Sequence, residues 1–173
     1  MSIPGQGDSG VSDSLVSIPG VPRPRVAAYV VRPAGDGMEL LVFDQEDSPE
    51  AGTQVPAGGI RPTESRKEAV LREVKEETGL KNVRVVTELG IIESPHPVSG
   101  QPRRTSYWAL ESVDDLPSSW RHVVGSDDAD DADDADDADD AMVFLCRWLP
   151  LPLEVALADD QGTLLAQLPL RLS

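Results

Sequence analysis

Residues 58–80 constrain what this chain can fold into more strongly than any other stretch. They read GGIRPTESRKEAVLREVKEETGL. Gly58 is followed at fixed intervals by Glu64, by Arg72 and Glu73, by a Glu pair and by Gly79. At average residue usage, this combination should arise by chance below about 10⁻⁸ per starting point. The segment is therefore the most specific signal in the sequence.

The middle of this segment predicts an α-helix over residues 66–78. The stretch contains no Gly or Pro, and most of its residues are fair helix formers. Thr63, Glu64 and Ser65 precede it, and any of them could begin the helix as an N-cap or first-turn residue. Gly79 stands where a left-handed C-cap residue belongs. We therefore expect a helix of three to four turns that follows a Gly-rich loop.

Three carboxylates share one side of the predicted helix. Glu73, Glu76 and Glu77 stand at i, i+3 and i+4 and fan over an arc of about 100°. Apolar residues beside this arc should face a core: Val70, Leu71 and Val74. The like charges repel each other, and a cation between them converts repulsion into attraction. Clustered oxygen ligands suit Mg²⁺ or Mn²⁺ and metal-assisted attack of water on a phosphoryl group.

A Glu-rich helix is more often a solvated face with basic partners, which are available here: Arg66, Lys67, Arg72 and Lys75. The Gly-rich loop before the helix and the glycine after it favour the metal site instead. With these features present, the whole segment resembles the Nudix box of the Nudix hydrolases, and every signature position is filled. The match covers 23 of 173 residues.

The resemblance implies an α/β fold of the α+β kind, with a Nudix-type mixed β-sheet sandwiched between helices. It implies a pyrophosphohydrolase that uses Mg²⁺ or Mn²⁺ to cleave nucleoside diphosphates linked to another moiety. Three residues would be the metal ligands: Glu73, Glu76 and Glu77. Glu64 would support the loop or an outer-sphere water, Arg72 would hold the glutamates by a salt bridge, and Ala57 would lend its backbone carbonyl to the metal.

The remaining chain predicts a β-rich domain over residues 23–173. Strands are expected at residues 25–32, 38–43, 54–56, 83–92, 105–111 and 142–149, with an irregular or short strand at 118–124. Residues 34–37 predict a hairpin turn, and Gly90 predicts a bulge or bend. Residues 44–51 and 94–102 predict loops, and residues 163–168 predict a short closing helix or turn capped by Asp.

Three residues near the second of these loops are candidates for contact with substrate. Arg103 and Arg104 form the densest cationic pair, which could meet phosphates or simply offset acidic surface. Tyr107 and Trp108 point to opposite faces of their strand, and one of them could stack on a base, although packing in the core is favoured. Arg103, Arg104 and Tyr107 are thus the predicted substrate-binding residues.

Net charge restricts the partners of this protein. Of the formal charge of −16, ten charges come from five Asp-Asp-Ala repeats at residues 127–141, which leaves −16 + 10 = −6 for the remainder. A polyanion binds nucleic acid backbone poorly, so nucleic acid is not an expected partner. We expect residues 126–141 to be disordered. Alternatively, a carboxylate from this run completes the metal site (Asp137, Asp139 or Asp140), with Glu93 and Glu111 as rivals.

Residues 1–22 are rich in Ser, Gly and Pro and predict a flexible arm. No secretion signal is recognisable and no stretch approaches 18 apolar residues, so a cytoplasmic protein is expected. Cys146 is the one cysteine and is predicted to be a small apolar strand residue, while His96 and His122 are predicted to be ordinary loop or surface residues. The sequence does not fix the oligomeric state, and a homodimer stays open.

Two other kinds of function remain compatible with the sequence. One is a catalytically silent Nudix-type sensor that binds a nucleotide, although such a protein need not keep all four glutamates. The other is an interaction module that uses the acidic run to bind basic partners. Specificity in this fold lies in loops outside the box, so the sequence does not identify the substrate. The ADP-ribose or nucleotide-sugar type is slightly favoured, because Pro95 stands fifteen residues after Leu80 and some ADP-ribose-cleaving Nudix enzymes have a proline near this interval.

Overall fold

The structure is a computed structural model that describes residues 20–125 and 141–169. The described residues form seven β-strands and one α-helix: β1 (Arg23–Ala34), β2 (Gly37–Gln45), β3 (Ala57–Gly59), α1 (Arg66–Thr78), β4 (Val83–Pro95), β5 (Pro102–Ser112), β6 (Ser119–Val124) and β7 (Met142–Pro150). Single turns of 3₁₀-helix lie at Pro49–Ala51 and Leu165–Gln167.

The strands form one mixed sheet in the order β4-β5-β1-β2-β7-β6. The β1–β5 pair is parallel, and the other pairs are antiparallel. β1 divides one of its edges between two partners, because β2 pairs with residues 31–34 and β3 pairs with residues 25–27. The predicted α+β fold with a mixed sheet is confirmed, and the box begins as a strand of that sheet.

Two apolar clusters lie on opposite sides of the sheet, since successive side chains of a strand point to opposite faces. On the helix face, the even-numbered residues of β1 pack against α1: Val26, Ala28 and Val30 against Ala69, Val70 and Val74. On the opposite face, Ala27, Tyr29 and Val31 pack under the C-terminal segment, residues 151–169. Val70 and Val74 are fully buried as predicted, and Leu71 packs at the margin of the same cluster.

Most predicted strands are confirmed, and several are longer than predicted because the sheet pairs their polar ends. The hairpin turn is confirmed at Gly35, which has φ +56°, and Asp36. β4 carries the predicted irregularity before Gly90 and a further one between Val85 and Thr87. The predicted loop over residues 44–51 is shorter, because Asp44 and Gln45 extend β2 opposite β7. Likewise, the loop over residues 94–102 shrinks to residues 96–101.

The predicted strand before the box was wrong. Residues 54–56 contribute only an isolated bridge from Gln54 to Phe43, and the strand is Ala57–Gly59 instead. Pro56 has no N–H to donate, whereas its carbonyl accepts from Ala28 N. The short closing helix or turn predicted over residues 163–168 is confirmed as a single 3₁₀ turn at Leu165–Gln167, but the predicted Asp cap is wrong because this turn has no side-chain cap.

The ends of α1 fall where the sequence placed them. Ser65 is the N-cap: its hydroxyl accepts a hydrogen bond from Glu68 N at 3.2 Å, and Ser65 N donates to the Glu68 carboxylate at 2.8 Å. This reciprocal pair is a capping box. Gly79 is left-handed with φ +79°, and its N–H closes the last turn on Lys75 O. The structure therefore selects Ser65 among the three candidates for the helix start.

Some predictions lie outside the described residues, namely those on the N-terminal arm up to residue 19 and on the acidic run at 126–140. Within the described ranges, no helix is both long and apolar enough to cross a membrane. The cytoplasmic location stays a prediction.

We expect Ser65→Ala to lower the free energy of unfolding by about 1 kcal/mol, because an N-cap hydroxyl would be lost. Urea denaturation followed by far-UV circular dichroism measures this change. Thr63→Ala is the matched control, since Thr63 is exposed and lies two residues before the cap. An equal loss in both variants would contradict the assignment of the cap.

Candidate functional site

The candidate site is built on the edge of β3 that does not pair with β1. Ala57 N donates to the Glu77 carboxylate at 2.9 Å, and Gly59 O accepts from the Arg72 guanidinium at 2.8 Å. In a strand the N–H and C=O of one residue point to the same edge. The Ala57 carbonyl therefore faces the edge that Glu77 approaches, and its role as a backbone ligand stays a prediction.

Gly58 leaves the space that the Glu73 carboxylate occupies. A Cβ on Gly58 would lie 2.2 Å from the carboxyl carbon of Glu73 and 2.2 Å from one of its oxygens. Glu73 is 5% exposed, so its carboxylate has no room to retreat to solvent without moving the helix. Glu73 and Glu77 thus contact consecutive residues of β3, one turn apart on α1.

Arg72 is the hub of the site, since five hydrogen bonds use all five N–H groups of its guanidinium. Nε and Nη2 donate to the two oxygens of Glu64 at 2.7 and 2.9 Å. Nη1 donates to Glu73 at 2.6 Å and to Glu76 at 3.0 Å, and Nη2 also donates to Gly59 O. Arg72 therefore links the loop before the helix, the strand and two of the three glutamates.

This network shifts the pKa values of Glu64 and Arg72. The hydrogen bonds from Arg72 hold the pKa of the Glu64 carboxyl below its ordinary value, with a smaller contribution from Arg61 N. The pKa of Arg72 is raised, chiefly by Glu64 and then by Glu73 and Glu76. Both shifts favour the charged forms, so the ion pairs persist at neutral pH. The positioning role predicted for Arg72 matches these contacts.

Glu76 is held differently from the other two glutamates. One of its oxygens accepts from Arg72, and the other lies 3.5 Å from Arg61 Nη2. Both oxygens thus face guanidinium groups. Among the residues that the structure describes, no three acidic, cysteine or histidine side chains converge as a metal-holding group. The ligand set predicted from the box stays a prediction, with Glu76 engaged in ion pairs.

The predicted substrate-binding residues lie on β5. Arg103 has an 11% exposed side chain on the face opposite α1, 3.9 Å from Asp159. Arg104 is exposed and lies 3.5 Å from Glu93. Both arginines pair with β1 at the end of the sheet that carries the β3 edge, opposite Arg23 and Pro24. Their contact with substrate stays a prediction, and Arg104 is the more accessible of the two.

Tyr107 is 1% exposed in the core of the opposite face, 5.5 Å from the Tyr29 ring. Its hydroxyl donates to Asp160 O at 3.3 Å. This placement favours the core-packing alternative over stacking on a base.

Glu93 and Glu111, the alternative candidates for a carboxylate that completes the metal site, lie away from the β3 edge. Glu93 is on the outer strand β4, two strands from β1. Glu111 lies beside Val31, whereas Gly58 pairs with Val26, so the two are separated by roughly 16 Å along β1. Glu111 is also paired with Arg84. The other rivals, Asp137, Asp139 and Asp140, lie outside the described residues.

Cys146 is buried on β7 as predicted, and burial, followed by the nearby charge of Glu77, raises the pKa of its thiol to about 12. Sequence reasoning missed Trp120 and His122, whose side chains reach the C-terminal end of α1. His122 was expected to be an ordinary loop or surface residue, but it is half-buried on β6. The one available signal was the alternation of Trp120, His122 and Val124 at strand spacing.

The lowered pKa of Glu64 predicts a pH-dependent contribution to stability. Such a carboxyl stabilises the fold above its unfolded-state pKa, near 4.3, and this stabilisation is lost as pH falls through the lower folded-state pKa. The difference in unfolding free energy between wild type and Glu64→Gln should therefore be largest near pH 7 and shrink below about pH 4.

Urea titrations from pH 3 to 7, in buffer with EDTA to exclude metal binding, measure this difference. Glu154→Gln is the control, because Glu154 is exposed and has no ion pair within the described part of the chain. A difference for Glu64→Gln that stays constant over the whole range would contradict the Arg72 pairing.

Comparison with known proteins places this site in a family. The family model for the NUDIX domain matches residues 21–167. An RNA pyrophosphohydrolase from a Nitratiruptor species is 40% identical over 67 residues, which are 38% of this chain and 43% of that protein. The chain thus spans less than half the length of this relative.

Solved structures show the same fold. The NUDIX domain of Shewanella oneidensis NrtR complexed with ADP ribose has a TM-score of 0.60 at 19% identity, over 85% of this chain and 86% of that chain. A MutT NUDIX hydrolase from Burkholderia pseudomallei has a TM-score of 0.57 at 22% identity, over 86% and 99%. With a family model that spans most of its length and a box whose side chains meet at one strand edge, the chain belongs to the NUDIX family.

Proposed function

We propose that this protein is a metal-dependent hydrolase that cleaves the pyrophosphate bond of a nucleoside diphosphate linked to another moiety. The carrying observation is that Glu73 and Glu77 both reach β3, with the Glu73 carboxylate over Gly58 and the Glu77 carboxylate bound to Ala57 N. Membership of the NUDIX family and the local identity to a pyrophosphohydrolase support the reaction type.

The residues at this edge fit Mg²⁺ or Mn²⁺. The donors are hard oxygens, and the Cβ-free space at Gly58 lets the Glu73 carboxylate reach the strand. Glu73, Glu77 and the Ala57 carbonyl would hold the ion, and Glu76 would join them by giving up its long contact with Arg61. When bound, the ion polarises phosphoryl oxygens and lowers the pKa of a water molecule.

The chain's own groups do the remaining work. Arg72 holds the Glu73 carboxylate beside β3, while Glu64 fixes Arg72 from the loop side. A carboxylate of this cluster accepts the proton of the attacking water. Arg104, which is exposed at the same end of the sheet, would neutralise phosphate oxygens of the substrate. Arg103 is its neighbour on β5 and lies on the face opposite α1.

Among substrates, we propose the ADP-ribose or nucleotide-sugar type first. The matched NUDIX domain of NrtR was solved with ADP ribose, and its similarity here extends over 85% of this chain. An RNA 5′ end is the second choice, suggested by the local match to the RNA pyrophosphohydrolase. The net charge of −16 disfavours a long nucleic acid contact.

Glu73→Gln and Glu77→Gln should each lower turnover by roughly a hundredfold or more, because a ligand to the metal would lose its charge. The assay measures phosphate-containing products from ADP-ribose, nucleotide sugars, dinucleoside polyphosphates and 5′-triphosphate RNA, with Mg²⁺ or Mn²⁺. Glu154→Gln, exposed and distant in sequence from the box, is the matched control. Metal-dependent turnover that survives in both box variants would refute this ligand set.

A nucleotide sensor without turnover is the second candidate function. The pairing of both Glu76 oxygens with arginines favours it, since these ion pairs oppose the release of Glu76 to a metal. Calorimetric binding of ADP-ribose, together with no turnover of any substrate in the panel, would support the sensor over the hydrolase.

A further inference from the structure

Two side chains of the edge strand β6 bind the last turn of α1. Trp120 Nε1 donates to Thr78 O at 2.8 Å. His122 Nε2 lies 2.8 Å from Glu76 O, and because a carbonyl only accepts, this nitrogen carries the proton. Both bonds end on carbonyls that have no partner within the helix.

The residues anchored in this way include a predicted metal ligand. Glu76 supplies the carbonyl that His122 binds, and Glu77 lies between the two anchored carbonyls along the chain. Helix ends fray more readily than helix centres. Arg72 offsets part of the repulsion among Glu73, Glu76 and Glu77, and the remaining repulsion adds to this tendency.

Gly79 makes room for the anchor as well as ending the helix. A Cβ on Gly79 would lie 3.0 Å from His122 Nδ1 and 3.2 Å from Cε1. The left-handed φ of +79° already favours glycine here. The last glycine of the box therefore serves both the helix end and the close approach of the His122 ring.

β6 is itself held firmly on the core side. Trp120 and His122 pair in register with Cys146 and Phe144 of β7, and Val124 on the same face is 4% exposed. The Trp120 ring also lies 6.3 Å from the Trp148 ring. A strand fixed in this way is a rigid support for the helix end.

We propose that Trp120 and His122 are positioning residues that keep Glu76 and Glu77 in the geometry for binding a divalent cation. This inference rests on the proposed function, because it assigns these glutamates to a metal. It extends that function by making the affinity for the metal depend on an edge strand outside the box.

The test compares Mn²⁺ binding, measured by electron paramagnetic resonance titration, with hydrogen exchange in the peptide that spans residues 71–80. Trp120→Phe and His122→Leu should each raise the dissociation constant for Mn²⁺ about threefold to tenfold, the effect of losing one neutral hydrogen bond. Both should speed exchange in the last turn. His122→Gln, which keeps an N–H donor, should recover part of the affinity.

Trp108→Phe is the matched control. The Trp108 Nε1 is buried and has no hydrogen-bond partner within the described residues. Trp108 lies on β5, at the other side of the sheet from β6, so this variant removes an indole N–H that does not anchor the helix end. It should retain wild-type Mn²⁺ affinity and wild-type exchange in residues 71–80. Thermal unfolding of all variants separates loss of fold from loss of positioning.

If Trp120→Phe and His122→Leu match Trp108→Phe while Glu77→Gln weakens Mn²⁺ binding, the positioning inference is overturned and the proposed function stands. If Glu77→Gln binds Mn²⁺ as tightly as wild type, the proposed metal site is overturned, and the inference with it.

Discussion

The guanidinium of Arg72 is the interaction on which the rest of the site depends. Four carboxylates belong to the site, three on α1 and one in the loop before the helix, and Arg72 forms ion pairs with Glu64, Glu73 and Glu76. One cation with five fixed N–H groups can bind three of them and a strand carbonyl at once, whereas a lysine ammonium has three donors and no planar fork. The side chains involved are at most 13% exposed, so water competes weakly for these bonds. Loss of one partner of a buried pair costs about 3–5 kcal/mol, since it leaves a charge uncompensated.

The sheet forms the other half of the site, because two strands pair with different parts of one edge of β1. β2 pairs with one end of this strand, and β3 takes the same edge near the other end. β3 thereby presents its second edge to α1, where Glu77 and Arg72 take up backbone groups of Ala57 and Gly59. A glycine between these two residues is required because the Glu73 carboxylate occupies the space of its Cβ. The same short strand therefore completes the sheet and forms the wall of the site.

α1 is fixed to the sheet along its whole length. At the N-terminal end, Arg66 bonds Glu88 of β4 at 3.1 Å, and Glu88 in turn accepts from Ser106 of β5. In the middle, the side chains of Val70 and Val74 are buried in the core, and Arg72 donates a hydrogen bond to Gly59 O of β3. At the C-terminal end, Trp120 and His122 of β6 bind backbone carbonyls of the last turn. Strands from both edges of the sheet thus converge on one short helix, although they are distant in sequence. A helix that is held at both ends can keep three like charges on adjacent turns.

The sequence by itself determined the helix bounds, its C-cap glycine, the side on which the glutamates lie and most of the strands. Local features decide these properties, since Gly79 ends the helix and a period of two marks the strands, whereas the structure selected Ser65, with Glu68, as the cap at the other end. Only the tertiary structure decided that β3 is Ala57–Gly59, that Tyr107 is buried and that both Glu76 oxygens face arginines. It also placed His122 on the end of α1, 46 residues after Glu76. These contacts join residues far apart in the chain, and spacing along a sequence cannot show which strand edge a helix will meet.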